Sequence, residues 1–167
     1  EMNMHIIYGN AEQLLAKLDN GEIHFALIEG YFPSHKYEQL LYYTDSFICV
    51  CAKNHTFSKK VNHIEDLLNE RILIRETGSG TRDLLDSYLK TYNLSYLDFK
   101  NHLEIESISS IISLLKNDCG ISFLYRLSVE EELKNGSLKE IKIQNLLLHH
   151  DTTFLWNKNS VYSKQYK

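Results

Sequence analysis

Arg75-Glu76-Thr77-Gly78-Ser79-Gly80-Thr81-Arg82 is the stretch on which the reading of this chain turns. It follows residues 71–75, an apolar run that reads as a strand. It precedes Leu84, Leu85, Tyr88 and Leu89, whose spacing puts them on one helical face. Glycines on both sides of Ser79 let the backbone turn tightly and come close to a ligand. A helix opening at Ser79 or Gly80 starts with amides that have no internal partner, where the helix dipole favours negative charge. The Ser79 and Thr81 hydroxyls add donors, so the turn suits a carboxylate, sulfate or phosphate. A plainer role satisfies the same residues: Ser79 only caps the helix and the glycines only make the turn. Arg82 adds charge to such an anion unless the fourth helical position carries it away.

Outward from this turn, strand and helix patterns alternate, which predicts an α/β sandwich with mainly parallel strands. On the N-terminal side, residues 4–8 read as a short strand. Asn10 and Gln13 then form a capping box for a helix carrying Ala11, Leu14, Leu15 and Leu18, with Gly21 as its stop. Strands are expected at 23–29, 40–43, 46–52 and 71–75, with a short helix at 64–68. On the C-terminal side come a strand at 99–106, then a helix capped by Ser107 that carries Ile108, Ile111, Ile112 and Leu115. A strand at 121–125 follows. Ser128 and Glu131 read as the capping box of a helix ending at Asn135-Gly136. Strands at 138–143 and 153–156 close the pattern. Pro33 is the only proline and no glycine-rich linker appears, so two lobes would be joined by ordered strands.

The 167 residues suffice for one domain or two small lobes, and 43% hydrophobic with 24% charged residues is the balance of a globular protein. No apolar run approaches the ~18 residues of a membrane span. Glu1-Met2-Asn3-Met4 shows no basic stretch leading into an apolar one. Net charge is −4, and basic residues nowhere cluster beyond Lys59-Lys60, so this chain alone is not expected to grip DNA. Cys49 and Cys51 share one strand face and Cys119 is distant in sequence, a pattern of reduced, buried thiols. His149-His150-Asp151 lacks the spaced third ligand that a metal site needs. Neither a metal nor a cofactor is expected.

Residues 75–82, and again Gly120-Ile121-Ser122-Phe123-Leu124, resemble the effector-binding domain of LysR-type bacterial transcription regulators. Further matches keep the family's order: Gly9-Asn10 before a helix, Gly21-Glu22-Ile23 leading to Ala26-Leu27-Ile28-Glu29-Gly30, and His55 after a strand. Glu106-Ser107 then starts a helix, and Val129-Glu130-Glu131-Glu132-Leu133 precedes Gly136-Ser137-Leu138. The resemblance implies an α/β, two-lobed, periplasmic-binding-protein-like (type II) fold with a ligand cleft between lobes joined by two crossover strands. Lobe one would be 1–75 with 153–167, lacking its first strand–helix unit, and lobe two 76–152. The winged helix-turn-helix would lie outside this chain, as would part of a helix after Lys158. Departures from the family are His24 for Asp, Asp118 for Gly, and Tyr125 for the proline after Phe123-Leu124. Asp tolerates a left-handed backbone; Tyr125 alters the floor of the cleft.

Carried over by that resemblance, ligand contacts are expected at Gly78, Ser79, Gly80, Thr81 and Ser107 in lobe two, with Glu29 and Gly30 closing from lobe one. Phe123 is a further contact. On the residues alone, Ser107 is equally an N-cap, Glu29 a solvated strand end and Phe123 a core residue. The implied protein is a cytoplasmic, homodimeric or tetrameric regulator that touches no membrane and reaches promoter DNA only through its N-terminal domain. Its partner is a small, anionic effector. A solute-binding protein of a transporter is the alternative with the same fold, though the cysteines favour the cytoplasm. Ser79 lies in no Gly-x-Ser-x-Gly elbow and no catalytic carboxylate or metal spacing appears, so an enzyme is not expected.

Overall fold

The computed structural model describes residues 3–29 and 31–158. Helix α1 (Ala11–Asp19) starts as its sequence dictates: the Asn10 side chain accepts from Gln13 N at 2.9 Å, and Asn10 N donates to Gln13 Oε1 at 3.2 Å. Gly21, at φ 72°, follows its C-cap. Leu18 is buried on the inner face of α1, and Ala11, Leu14 and Leu15 pack beside it. They meet Ala26 and Ile28 of β1 (Phe25–Glu29), Tyr37 of β2 (Tyr37–Ala52) and Leu155 of the last strand. Full burial of one such leucine contributes roughly 1.5–3 kcal/mol.

The remaining strands are β3 (Arg71–Ile74), β4 (Asn101–Glu104), β5 (Ile121–Tyr125), β6 (Leu138–Ile141) and β7 (Leu148–Asn157). Together they form one mixed, open sheet in the order β1-β7-β2-β5-β3-β4, with β6 also paired to β2. β3 runs parallel to β4 and to β5, but β2 is antiparallel to β5, β6 and β7, as is β1 to β7. The expectation of mainly parallel strands is therefore wrong. Its cause is β2, where the two apolar runs at 40–43 and 46–52 are one strand 16 residues long. Thr44 and Asp45 do not interrupt it, because the Thr44 hydroxyl donates to Asp151 at 2.6 Å. The Asp45 carboxylate in turn accepts from Ser46 N at 2.7 Å and Leu127 N at 2.8 Å. With polar partners supplied, a polar pair sits inside a strand at little cost.

Helix α2 (Gly80–Lys90) covers one face of the sheet. Leu84, Leu85, Tyr88 and Leu89 pack there against Cys49, Cys51, Ile72, Ile74, Ile121 and Phe123. Helix α3 (Ile108–Lys116) covers the other, where Ile111 and Leu115 meet Ile48, Val50, Leu73 and Leu124. Gly120 (φ 149°) makes this packing possible, since a Cβ there would collide with the Arg71 carbonyl oxygen. Asp118 before it is left-handed at φ 57°, and its carboxylate accepts from His55 Nδ1 at 2.6 Å, tying the turn to the end of β2.

Other local expectations change. Residues 4–8 form no strand, and Met4, Ile6 and Tyr8 are exposed. A strand pattern without a neighbour to bond is not a strand. Ser128 does not cap a helix: residues Arg126–Val129 form a 3-10 turn, and α4 (Glu130–Asn135) starts after Val129 without a side-chain cap. It stops where expected, at left-handed Gly136.

Candidate functional site

β3 ends at Ile74 and delivers Arg75 and Glu76 as a bidentate pair, Nε to Oε2 at 2.8 Å and Nη2 to Oε1 at 3.0 Å. Burial works against the Glu76 carboxylate, but its hydrogen bonds to Arg75, together with Asn10, hold it below the usual range. Gly78 then turns through φ 87° and Ser79 takes the N-cap position of α2 without a side-chain capping bond. The turn assembles Gly78, Ser79, Gly80 and Thr81 as expected, with Ser79 and Thr81 3% and 5% exposed. Pressed against it is a residue that the sequence did not point to. Glu12 of α1 donates its amide to the Gly78 carbonyl at 3.5 Å and lays its carboxylate beside Gly78 Cα.

Arg82 is not aimed at an anion. Buried at 5% exposure, it donates to Asp86 at 2.9 Å, to Glu104 at 3.3 Å and to the Arg75 carbonyl at 2.9 Å, with its guanidinium 4.1 Å from the centre of the Tyr96 ring. Burial disfavours its charge, yet Asp86 and Glu104 outweigh that and raise its pKa. It serves the fold of α2.

Ser107 caps α3 by accepting from Ser110 N at 3.2 Å, and its hydroxyl lies 2.8 Å from that of Ser109. It lines a groove of about 840 Å³ with Thr77, Arg75 and Glu76 from the loop into α2, and with Asn10 and Gln13 from the start of α1. Of the two expected helix starts, that of α3 lines the groove through Ser107, whereas Gly78, Ser79, Gly80 and Thr81 do not line it and only the preceding loop, up to Thr77, does. Phe123 is 2% exposed in the core, its ring 6.1 Å from that of Phe47 and 6.3 Å from that of Tyr88. Glu29 stands exposed at the end of β1, yet its carboxyl is raised first by loss of water around it and then by Asp45, against Arg75 and His150. Gly30 lies outside the described residues.

A second recess, of about 570 Å³, is lined by Tyr31, Phe32, Gln39, His149 and His150. Those two histidines are neighbours in β7 and face opposite ways: His149 Nδ1 lies 3.3 Å from Ser46 Oγ, while His150 meets Tyr31 edge-on at 5.3 Å. Among the described residues no group of three or more His, Cys, Asp or Glu is placed to hold a metal ion, and no helix is long and apolar enough to cross a membrane.

With this architecture go the relatives. The chain matches the LysR substrate binding domain over residues 1–167, and it belongs to that family. Among curated proteins it is 28% identical over 149 residues to a probable RuBisCO transcriptional regulator of Chlorokybus atmophyticus, covering 87% of this chain and 48% of that one. It is 28% identical over 157 residues to the HTH-type transcriptional regulator CysL of Bacillus subtilis, covering 93% and 51%. The chain therefore spans about half the length of the curated relatives it matches. Among solved structures, the Synechocystis PCC6803 CcmR regulatory domain in complex with 2-PG superposes with a TM-score of 0.76 at 19% identity, over 94% of this chain and 76% of that one. The shared fold is the two-lobed, type II periplasmic-binding-protein-like one.

Proposed function

We propose that this chain is the effector-sensing part of a cytoplasmic, DNA-binding LysR-type transcription regulator and catalyses nothing. A small acid binds between the lobes, with its charge near the start of α2 at Gly78, Ser79, Gly80 and Thr81, and Ser107 at its side. The observation that carries this is the convergence of the loop into α2 and the start of α3 on one groove. The separate core beneath α1 supports two lobes. It comprises Leu18, Ala26, Ile28, Tyr37 and Leu155, whereas Ile64, Leu67 and Ile72 pack with α2. That packing favours a division within β2 and β7, the strands that would join the lobes.

Because Ser79 and Thr81 are buried and Glu12 lies on Gly78, the ligand reaches them when α1 moves off the turn. Glu29 and Gly30 then close from the other lobe. Such a ligand shifts the balance of open and closed forms, and with it the packing of a homodimer or tetramer on promoter DNA bound by a separate N-terminal domain. The matched curated relatives, named as transcriptional regulators, favour this over a transporter's solute-binding protein.

Calorimetry with small carboxylates and phosphates, 2-PG among them, tests it. A binding acid should lose tenfold to a hundredfold in affinity on Ser79→Ala or Thr81→Ala, the loss of a donor to a charged group being about 1.5–3 kcal/mol. Unchanged binding by both folded variants would show that the start of α2 is only a turn.

A further inference from the structure

The start of α1 bears on the turn that opens α2 through few atoms. The Glu12 amide reaches the Gly78 carbonyl at 3.5 Å, a long and therefore weak hydrogen bond. A Cβ built on Gly78 would stand 2.6 Å from Glu12 Oε2 and 3.5 Å from Asn10 Nδ2, so two side chains of α1 crowd the glycine. The helices themselves belong to different cores. Leu18 of α1 packs with Ala26, Ile28, Tyr37 and Leu155, whereas α2 packs with Cys49, Ile72 and Phe123. Lifting α1 from the turn thus leaves both cores intact and breaks one weak bond.

Charge makes the contact specific. Glu12 lies in the first turn of α1, near the positive end of its own helix. Its place against Gly78, two residues before α2 begins, sets it near the positive end of a second. It forms no salt bridge among the described residues: Lys17 is held by Glu22, Lys36 by Asp19, Arg75 by Glu76, and Arg82 by Asp86 and Glu104. Its charge is felt at α2, where loss of water raises the Asp83 carboxyl and Asp86 and Glu12 raise it further, against Arg82. Ser79 is 3% exposed and makes no side-chain capping bond, so the donor offered to an acid is covered rather than used.

We propose that Glu12 is a built-in competitor of the effector. Its carboxylate stands in for the acid at the start of α2, and its amide latches α1 over Ser79 and Thr81, until an incoming acid displaces both. This rests on the reading of the start of α2 as the place of the acid group. Two negative charges do not share that place, since repulsion between unit charges a few Å apart near a protein surface changes binding by about tenfold or more. Binding and release of the latch are then one event, and the lobe that carries α1 is free to move.

Calorimetry with sulfate, inorganic phosphate and acetate on the 167-residue chain tests this. Glu12→Gln should bind the acid about tenfold more tightly than the parent, and Glu12→Asp, which draws the charge back by one methylene, should fall between them. Glu131→Gln, which removes the same charge from an exposed position on α4, should match the parent. Weaker or unchanged binding by folded Glu12→Gln overturns the competitor and leaves the acid-binding reading intact. An equal gain in Glu131→Gln does the same. On the unmodified chain, an acid that binds should speed hydrogen exchange of the Glu12 amide, which loses the Gly78 carbonyl. Slower exchange overturns the latch even if no variant folds. If no acid binds parent or variants, both readings fall.

Discussion

The backbone amide of Glu12 meets the carbonyl of Gly78 across 3.5 Å, and the Glu12 carboxylate reaches to 2.6 Å from the place a Cβ on Gly78 would occupy. The first turn of α1 is thereby held on the turn that opens α2, and Asn10 at its start helps Arg75 to lower the pKa of the Glu76 carboxylate. A negative charge of the chain itself stands where the incoming acid is proposed to bind.

Gly78→Ala should lower stability by about 1–2 kcal/mol, because the turn needs φ 87° and a Cβ is strained there. In a chain of this size each kcal/mol moves the melting temperature by roughly 2–4 °C. Adding Glu12→Ala should restore little, since the far end of a glutamate swings aside readily while the backbone strain stays. Thermal melts of the single and double variants decide this; full rescue by Glu12→Ala would assign the cost to crowding instead.

Arg82→Ala should destabilise the chain by about 1–3 kcal/mol, as when hydrogen bonds to charged groups are lost while their carboxylates stay open to water. Arg82→Lys should recover only part of it, because one ammonium cannot reach Asp86, Glu104 and the Arg75 carbonyl while lying over Tyr96. Urea unfolding measures both. Full stability of the lysine variant would contradict the forked geometry.

The thiols should divide by position. Burial pushes the Cys49 thiol well up and that of Cys51 to about 11, whereas Cys119 is only half-buried. At pH 8 a thiol reagent should modify Cys119 in the folded chain and reach Cys49 and Cys51 only on unfolding. Mass spectrometry of the labelled protein reads this, and rapid labelling of Cys51 in the folded state would refute its placement.

Glu29→Gln should stabilise the chain at neutral pH and change nothing in acid. The folded carboxyl has a raised pKa, so below the ordinary carboxylate range both states are protonated and the charge costs nothing. As pH rises through the unfolded pKa, the unfolded state ionises first and the folded state loses ground. The penalty is complete above the raised folded value. Melting temperatures of parent and variant should coincide near pH 3 and separate towards pH 7. The opposite order would mean that Glu29 has found a cation.

Much of the local structure was legible because its causes are local. Asn10 with Gln13, Ser107, left-handed Gly136 and the apolar faces of α2 and α3 all act within a few residues of themselves. The candidate turn at 78–81 was legible for the same reason. The unpaired segment 4–8 and the uncapped start of α4 were not, since a strand is defined by its neighbour and a cap by competing partners.

By itself, then, the sequence determined the family, the alternation of elements and the caps of α1 and α3, all consequences of periodicity and short-range hydrogen bonding. The tertiary structure alone decided that β2 is one strand with antiparallel neighbours, since Asp151 and Leu127, distant in sequence, supply partners to Thr44 and Asp45 inside it. It also drew Arg82 into the fold with Glu104, 22 positions away, and set Glu12 on Gly78. It also buried the Tyr125 hydroxyl without a hydrogen-bond partner among the described residues. Charge and desolvation act through space, and the order of residues along a chain does not contain those distances until the chain has folded.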